Sequence, residues 1–274
     1  PAIEMLRGVI GRSGNGASIA VAEHISGSES AFAVIMNDEA AKLGMTNTHF
    51  ANATGMPAEG HRSSAHDLAV LARTVIKNSA QYYPIYSEKE FTYNNIKQGN
   101  RNALLFTDAT VDGLKTGHTA ESGYSLAASS RKDNMRLIAI VLGAKSMQAR
   151  ADQARELLEF GFGHFTNVVV ATSGTNAGNI PVKFSKNKTV TASTLSDLKV
   201  LTTKNQTGNF TTAIKLNDNI TAPIKKGQEL GQMMAVLDGR TVASTPIIAD
   251  EDAEQAGFVS RMWESLVDWI KGLF

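Results

Sequence analysis

Two short stretches of this 274-residue chain hold side chains that could do chemistry. "RSGNGAS" offers the Ser13 hydroxyl and the Asn15 carboxamide, separated by one glycine. Far downstream, "VDGLKTGHT" places the Lys115 ammonium, the Thr116 hydroxyl, the bare backbone of Gly117 and then His118 in succession. A serine at its free pKa is a weak nucleophile and needs a base beside it. A serine in one stretch and a lysine in the other are therefore the parts of a nucleophilic or proton-relay site, provided the fold brings them together. Singly, neither demands this: Ser13 fits a helix cap, and Lys115 fits a solvated lysine on a strand edge. A buried strand has little use for a lysine, a hydroxyl and a glycine in a row. Residues 111–119 are thus either a polar edge or one wall of an active site.

The elements that must position these residues can be read from periodicity. From Ala17 to about Lys77 the pattern is helical. Phe32, Met36, Ala40 and Leu43 recur at near-helical spacing, with Ser28 as the cap and Gly44 as the stop. A loop rich in Asn, Gly and Pro follows, and then "SSAHDLAVLARTVIKN", where Ser64 and Asp67 fit a capping box. "GYSLAASSRKDNMRLIAIVLGA" predicts two strands joined by a turn at Asp133–Asn134, the second apolar enough for a strand covered on both faces. "SMQARADQARELLEFGF" predicts a helix stopping near Gly161. The expectation is an α+β fold: a mixed domain over 1–165, a small all-β domain over 166–257, and a helix over 258–274. In the middle segment short Val- and Thr-rich runs alternate with turns, among them an Asp238–Gly239 hairpin signal. The last segment sets Phe258, Met262, Leu266, Trp269, Ile270 and Leu273 on one helical side and Ser260, Arg261, Glu264, Ser265, Asp268 and Lys271 on the other. Such a helix suits a membrane interface, where tryptophan prefers to sit.

Composition narrows the function classes. With 42% hydrophobic residues the chain can bury a real core, and 27 basic against 26 acidic residues give no electrostatic reason to expect nucleic acid. There is no cysteine, hence no disulfide framework or thiolate metal site, and the six histidines form no metal-ligand spacing. No metal and no cofactor are expected.

Ser13-Gly14-Asn15 and Lys115-Thr116-Gly117, in this order, resemble the second and third motifs of penicillin-binding proteins and serine β-lactamases. "LGMTNTHFANATGMP", "YSEKEFTYNNIKQGNRNALL", "GYSLAAS" and "MRLIAIVLGA" are similar to the low-molecular-mass D-alanyl-D-alanine carboxypeptidases (the penicillin-binding protein 5/6-like family), as are the β-rich domain and the tail. The resemblance implies a transpeptidase/β-lactamase-like domain. It implies removal of the terminal D-Ala from peptidoglycan stem peptides through an acyl-serine, with β-lactams acylating the same serine. Ser13 would relay a proton to the leaving amine, Lys115 would hold the field positive, and Asn15 would offer its amide to the substrate. The strand from Lys115 would pair with the extended peptide, and Gly117 would leave it room. The backbone N–H of His118 would supply half of an oxyanion hole. Thr116 and Arg150 would bind the substrate carboxylate, with Arg101 in support. The helix would anchor the protein to the periplasmic face of the bacterial inner membrane.

The family's first motif, Ser-x-x-Lys, holds the nucleophile and its base and lies upstream of Ser-x-Asn. None of the twelve residues before Ser13 is a serine. Ser129 with Lys132, Ser185 with Lys188 and Ser196 with Lys199 match the spacing, but none opens a buried helix ahead of Ser13. The resemblance therefore implies that the amino-terminal part of the family domain is not in this sequence, and that the chain alone is inactive. Gly16 stands where an acidic residue is common in the family, which bears on deacylation. Two other functions share these features: a D,D-endopeptidase, and a non-catalytic peptidoglycan-binding protein.

Overall fold

Two helices of this protein start where a serine side chain can satisfy a free backbone N–H. The computed structural model describes residues 1–206 and 208–271, the last four by backbone alone. Helix α1 spans Ala2–Arg12, α2 Asn15–Ser26, α3 Glu29–Lys42 and α4 Ala65–Asn78. Ser28 caps α3 by accepting the Ala31 amide, and Ser64 caps α4 by accepting that of Asp67 at 3.1 Å. The expected capping box is only half made. The Asp67 carboxylate turns away to accept from the Asn47 N–H and the Thr48 hydroxyl, each at 2.8 Å, and so ties the loop before α4 to the helix. Helix α1 lies ahead of the predicted helical region. Gly8 and Gly11 dilute its pattern, but Ile10 and Gly11 are buried and Arg7 grips Glu88 through two nitrogens.

The chain divides into two compact units, Pro1–His164 and Phe165–Phe274. In the first, the hairpin β1 (Glu90–Tyr93) and β2 (Ile96–Gly99) precedes the short α5 (Leu104–Thr107). Strands β3 (Val111–Thr119), β4 (Gly123–Lys132) and β5 (Met135–Ala144) form an antiparallel sheet in the order β3-β4-β5. The turn between β4 and β5 lies at Asp133–Asn134, with Asp133 in the left-handed region at φ 53°. Helix α6 (Met147–His164) packs on β4 and β5 through Ala151, Ala154 and Leu158, which bury against Leu126, Ala128 and Val141. It does not stop at Gly161. A Cβ there would come within 2.5 Å of Leu137, so the glycine permits close packing rather than ending the helix. Strand β5 touches both α6 and α4, as its apolar run implies, yet Leu142 remains 44% exposed.

The second unit is all β up to its last helix. Strands β6 (Phe165–Ala171), β7 (Asn176–Pro181), β8 (Thr189–Thr194), β9 (Leu198–Thr203), β10 (Thr211–Leu216), β11 (Glu229–Leu237) and β12 (Arg240–Ala249) form two sheets. One runs β10-β11-β12-β8-β7 and the other pairs β6 with β9. Alternating residues point inward, so that Val190, Ala192, Leu198, Val200, Met233 and Ile247 share one core. Asp238 and Gly239, both at positive φ, close the β11–β12 hairpin between Leu237 and Arg240.

Helix α7 (Phe258–Lys271) is held to this unit by its polar side. The Glu264 carboxylate accepts from the Phe184 N–H at 3.2 Å and from the Lys188 ammonium at 2.7 Å. Phe258, Val259, Met262, Trp263 and Leu266 are all exposed. Val259 and Trp263 thus join the apolar stripe. The Asp268, Trp269, Ile270 and Lys271 side chains and Leu273 of the sequence reading lie outside the described residues.

Candidate active site

Ser13 occupies a two-residue link between α1 and α2. Its N–H closes α1 on the Val9 carbonyl at 3.1 Å, and the Gly14 N–H reaches the Gly8 carbonyl at 3.1 Å. This terminus puts Ser13 in the left-handed conformation, φ 57°, ψ 49°, where non-glycine residues are uncommon. The link is pinned from outside. The Gly11 carbonyl accepts the Arg101 N–H at 3.1 Å, and the Arg12 guanidinium donates to the Gly99 carbonyl at 3.2 Å. Asn15 is the first residue of α2, so Ser13 and Asn15 flank a helix start.

Strand β3 brings the second motif to the first. The Lys115 Nζ donates a short hydrogen bond to the Ser13 Oγ and a second, of 2.7 Å, to the Thr116 carbonyl. Burial, followed by repulsion from Arg101 and Arg150, lowers the Lys115 pKa to about 8. The lysine is therefore largely protonated near neutral pH and loses its charge more readily than a solvated one. Among the described residues β3 has a strand partner on one side only, so its other edge can receive an extended chain, with the Thr116 and Gly117 carbonyls already accepting from Lys115 and Arg150.

These residues line one cavity of about 960 Å³. Ser13, Asn15, Lys115, Thr116, Gly117, His118 and Arg150, all singled out by sequence, face it together. A Cβ on Gly117 would meet only the Ser125 Cβ at 3.8 Å, so the chain's own packing does not require a glycine there. The Arg150 guanidinium is buried and partly occupied. It donates to the Gly117 carbonyl at 3.0 Å, and more weakly at 3.4 Å to those of Ser125 and Arg101. Burial foremost lowers its pKa. Arg150 thus braces β3 and β4 and adds positive field, while Arg101 also lines the cavity. Tyr124 lies between the His118 ring (centroids 4.0 Å apart) and the Arg150 guanidinium (5.7 Å from the ring centre).

The sequence reading missed Tyr124, Met147 and the loop from Phe50 to Met56, all of which line the cavity. "FANATGMP" carried turn residues but nothing that points to a cavity wall. None of the three Ser-x-x-Lys serines lines it. Ser129 is buried against Arg136, Ser185 accompanies the Val182 carbonyl, and Ser196 pairs with Thr245. Among the described residues, no group of three acidic or histidine side chains is placed to hold a metal.

Two family models match the chain. The family described as D-alanyl-D-alanine carboxypeptidase matches residues 2–146, and that described as penicillin-binding protein 5, C-terminal domain, matches 165–255. The chain is 39% identical over 273 residues to the D-alanyl-D-alanine carboxypeptidase DacF of Bacillus subtilis, covering 98% of this chain and 70% of that protein. It is 37% identical to DacA of Haemophilus influenzae, covering 99% of this chain and 70% of the relative. The crystal structure of penicillin binding protein 5 from Haemophilus influenzae superimposes with a TM-score of 0.75 at 36% identity, over 92% of this chain and 74% of that one. Penicillin-binding protein D2 from Listeria monocytogenes, in its cefotaxime-bound form, matches 59% of this chain and 66% of its own at 30% identity and a TM-score of 0.55.

Proposed function

This chain belongs to the D-alanyl-D-alanine carboxypeptidase family, and we propose that its Ser13–Lys115 pair handles the proton transfers of that family's reaction. The reaction removes the terminal D-Ala of a peptidoglycan stem peptide through an acyl-serine, and β-lactams acylate the same serine. A serine hydroxyl attacks the carbonyl between the two D-alanines, the C–N bond breaks, and the leaving amine takes a proton. Water then hydrolyses the ester. The observation that carries this reading is the hydrogen bond from Lys115 to Ser13 inside the shared cavity. Because the ammonium donates to the Ser13 oxygen, the Ser13 O–H is left to donate elsewhere, and it points its proton to the leaving nitrogen.

The other residues sort by chemistry. The stem peptide pairs along the open edge of β3, with Gly117 leaving room for it and Asn15 offering its carboxamide. The His118 N–H stabilises the oxyanion. The substrate carboxylate is met by the Thr116 hydroxyl and by Arg101, while Arg150, committed to three carbonyls, acts mainly through its field. The acylated serine belongs to a Ser-x-x-Lys segment distinct from the three in this sequence, none of which lines the cavity. On this reading the chain as given supplies the walls of the site and is inactive alone. We further propose that α7 lies in a membrane interface at the periplasmic face of the bacterial inner membrane, a reading its exposed apolar stripe supports.

The test is intact mass after incubation with benzylpenicillin, on this chain and on the protein from its native source. An adduct on the native protein alone supports the reading. An adduct on this chain would place the nucleophile within it, at Ser13 or Ser129. No adduct on either would leave a fold that binds peptidoglycan without cleaving it.

A further inference from the structure

We propose that His61 is a positioning residue for this reaction: its ring accepts the Ala51 N–H and holds the 50–56 loop as a wall of the cavity, and protonation of the ring releases that wall. The contact is Ala51 N–H to His61 Nδ1, 3.1 Å. An imidazole nitrogen accepts only while it carries no proton, so this geometry requires the neutral ring with its proton on Nε2. Phe50, Asn52, Ala53, Thr54, Gly55 and Met56 line the same cavity as Ser13 and Lys115, and so does His61. The inference rests on that cavity being the peptide site proposed above.

The loop is held at three successive points. Asn37 brackets Phe50, accepting its N–H and donating to its carbonyl, both at 2.8 Å. His61 holds Ala51, and the Glu29 carboxylate of α3 accepts the Ala53 N–H at 3.0 Å. Beyond this the loop braces itself through Asn52, which accepts from the Gly55 N–H at 2.7 Å and donates to the Met56 carbonyl at 2.9 Å. The tip is thus tied to itself, and its place against the cavity depends on the anchors at its base. Asn37 carries no titratable group. His61 is the anchor whose charge changes in the mildly acidic range.

The surroundings favour the neutral ring. The Phe50 ring meets that of His61 edge-on, with centroids 6.0 Å apart. The charged or titratable groups to consider are His49 and the adjacent Arg62, Glu29 at the Ala53 anchor of the loop, and Arg101 and Lys115 on the cavity. His49 and Arg62 sit in a β-bridge made by two backbone hydrogen bonds of 2.9 Å. Burial, and then His49, lower the His61 pKa from 6.5. The latch is therefore complete above the ordinary histidine pKa of about 6.5 and weakens as pH falls below it.

The experiment uses the full chain, ¹⁵N-labelled, between pH 8 and 5.5. It reads the His61 ring nitrogens together with Ala51 amide exchange relative to its intrinsic rate. In the parent, Ala51 protection should fall at least tenfold as His61 titrates. His61→Asn keeps an acceptor near the Nδ1 position and should hold Ala51 protected at every pH. His61→Phe should leave it unprotected throughout. In the native-source protein, the acid limb of benzylpenicillin acylation should follow His61 and vanish in His61→Asn. Constant Ala51 protection across the parent's titration, or full protection in His61→Phe, overturns the latch. A working latch with an acid limb unchanged in His61→Asn overturns its role in the reaction. Failure of the native protein to acylate at any pH is separate: it overturns the carboxypeptidase reading and takes the reaction half of this proposal with it, while the Ala51 measurement still decides the contact.

Discussion

Lys115 donates a hydrogen bond to Ser13 across 102 positions of sequence, and the two residues reach each other from opposite kinds of structure. Ser13 sits in a two-residue link between helices with a left-handed backbone, whereas Lys115 sits on a strand, paired with Ala127 of β4.

The lowered lysine pKa gives the first prediction. Acylation of the native-source protein by benzylpenicillin should show an alkaline limb near the Lys115 value of about 8, because the charged form is lost as pH rises through it. Lys115→Arg, which cannot lose its proton in this range, should remove the limb while lowering the rate. Lys115→Ala should cost about 10²–10⁴-fold at neutral pH. A limb that persists in the arginine variant would assign it to another group.

Ser13 separates function from stability. Its left-handed backbone is disfavoured for serine, and glycine adopts it freely. Ser13→Gly should therefore fold with a melting temperature no lower than the parent's while acylation falls about 10²–10⁴-fold. Ser13→Ala should lose the same activity and also some stability. Thermal unfolding beside acylation rates checks both, and a Ser13→Gly variant that remains active would sink the relay role.

Asp67 makes folding sensitive to acid. Burial by itself would raise its pKa, but hydrogen bonds from Thr48, the Asn47 N–H, His66 and Ser64 outweigh this and hold it below the ordinary value. A carboxylate depressed in the folded state stabilises above its unfolded pKa, and that contribution fades as pH falls through the folded value. Unfolding of Pro1–His164 should thus become easier below about pH 4. Asp67→Asn should unfold more readily at neutral pH and show a smaller change in acid.

Gly231 tests the second unit. A Cβ at this position would run into the Lys215 carbonyl oxygen and the Leu216 Cα of the neighbouring strand, neither of which can swing aside. Gly231→Ala should destabilise the β sheet by ~1–3 kcal/mol. Two-stage unfolding, with only the β-rich stage shifted, is the expected calorimetric trace.

The outward stripe of α7 gives the last prediction. Met262→Glu with Leu266→Glu should abolish co-sedimentation with vesicles containing anionic lipid, with the β sheet intact by circular dichroism. Glu264→Gln, which weakens the helix's attachment to Lys188, should leave vesicle binding in place. Binding that survives the double substitution would assign the stripe to something other than lipid.

Local signals determined much of this protein. Serines placed before apolar runs capped α3 and α4, because a side-chain oxygen there satisfies a backbone N–H that the helix leaves free. Asp238–Gly239 closed a hairpin, because few residues tolerate two successive positive φ angles. The two reactive tripeptides were visible as a pair: Ser13 alone fits a helix cap and Lys115 alone a polar strand edge, but together and in this order they match two motifs of one family. Tertiary structure decided what depends on neighbours distant in sequence. Gly161 reads as a helix stop until Leu137 is seen pressing on it, and Gly8 and Gly11 concealed a helix whose partners are Glu88 and the segment around Arg101. Arg150 reads as a free carboxylate ligand until three backbone carbonyls claim part of its guanidinium. The 50–56 loop became a cavity wall only through Asn37 and Glu29 of α3 and His61 of the loop before α4, anchors that lie outside the loop itself. Backbone propensity acts over a few residues and is written locally; burial, shared hydrogen bonds and pKa arise between chain segments, and only folding brings those together.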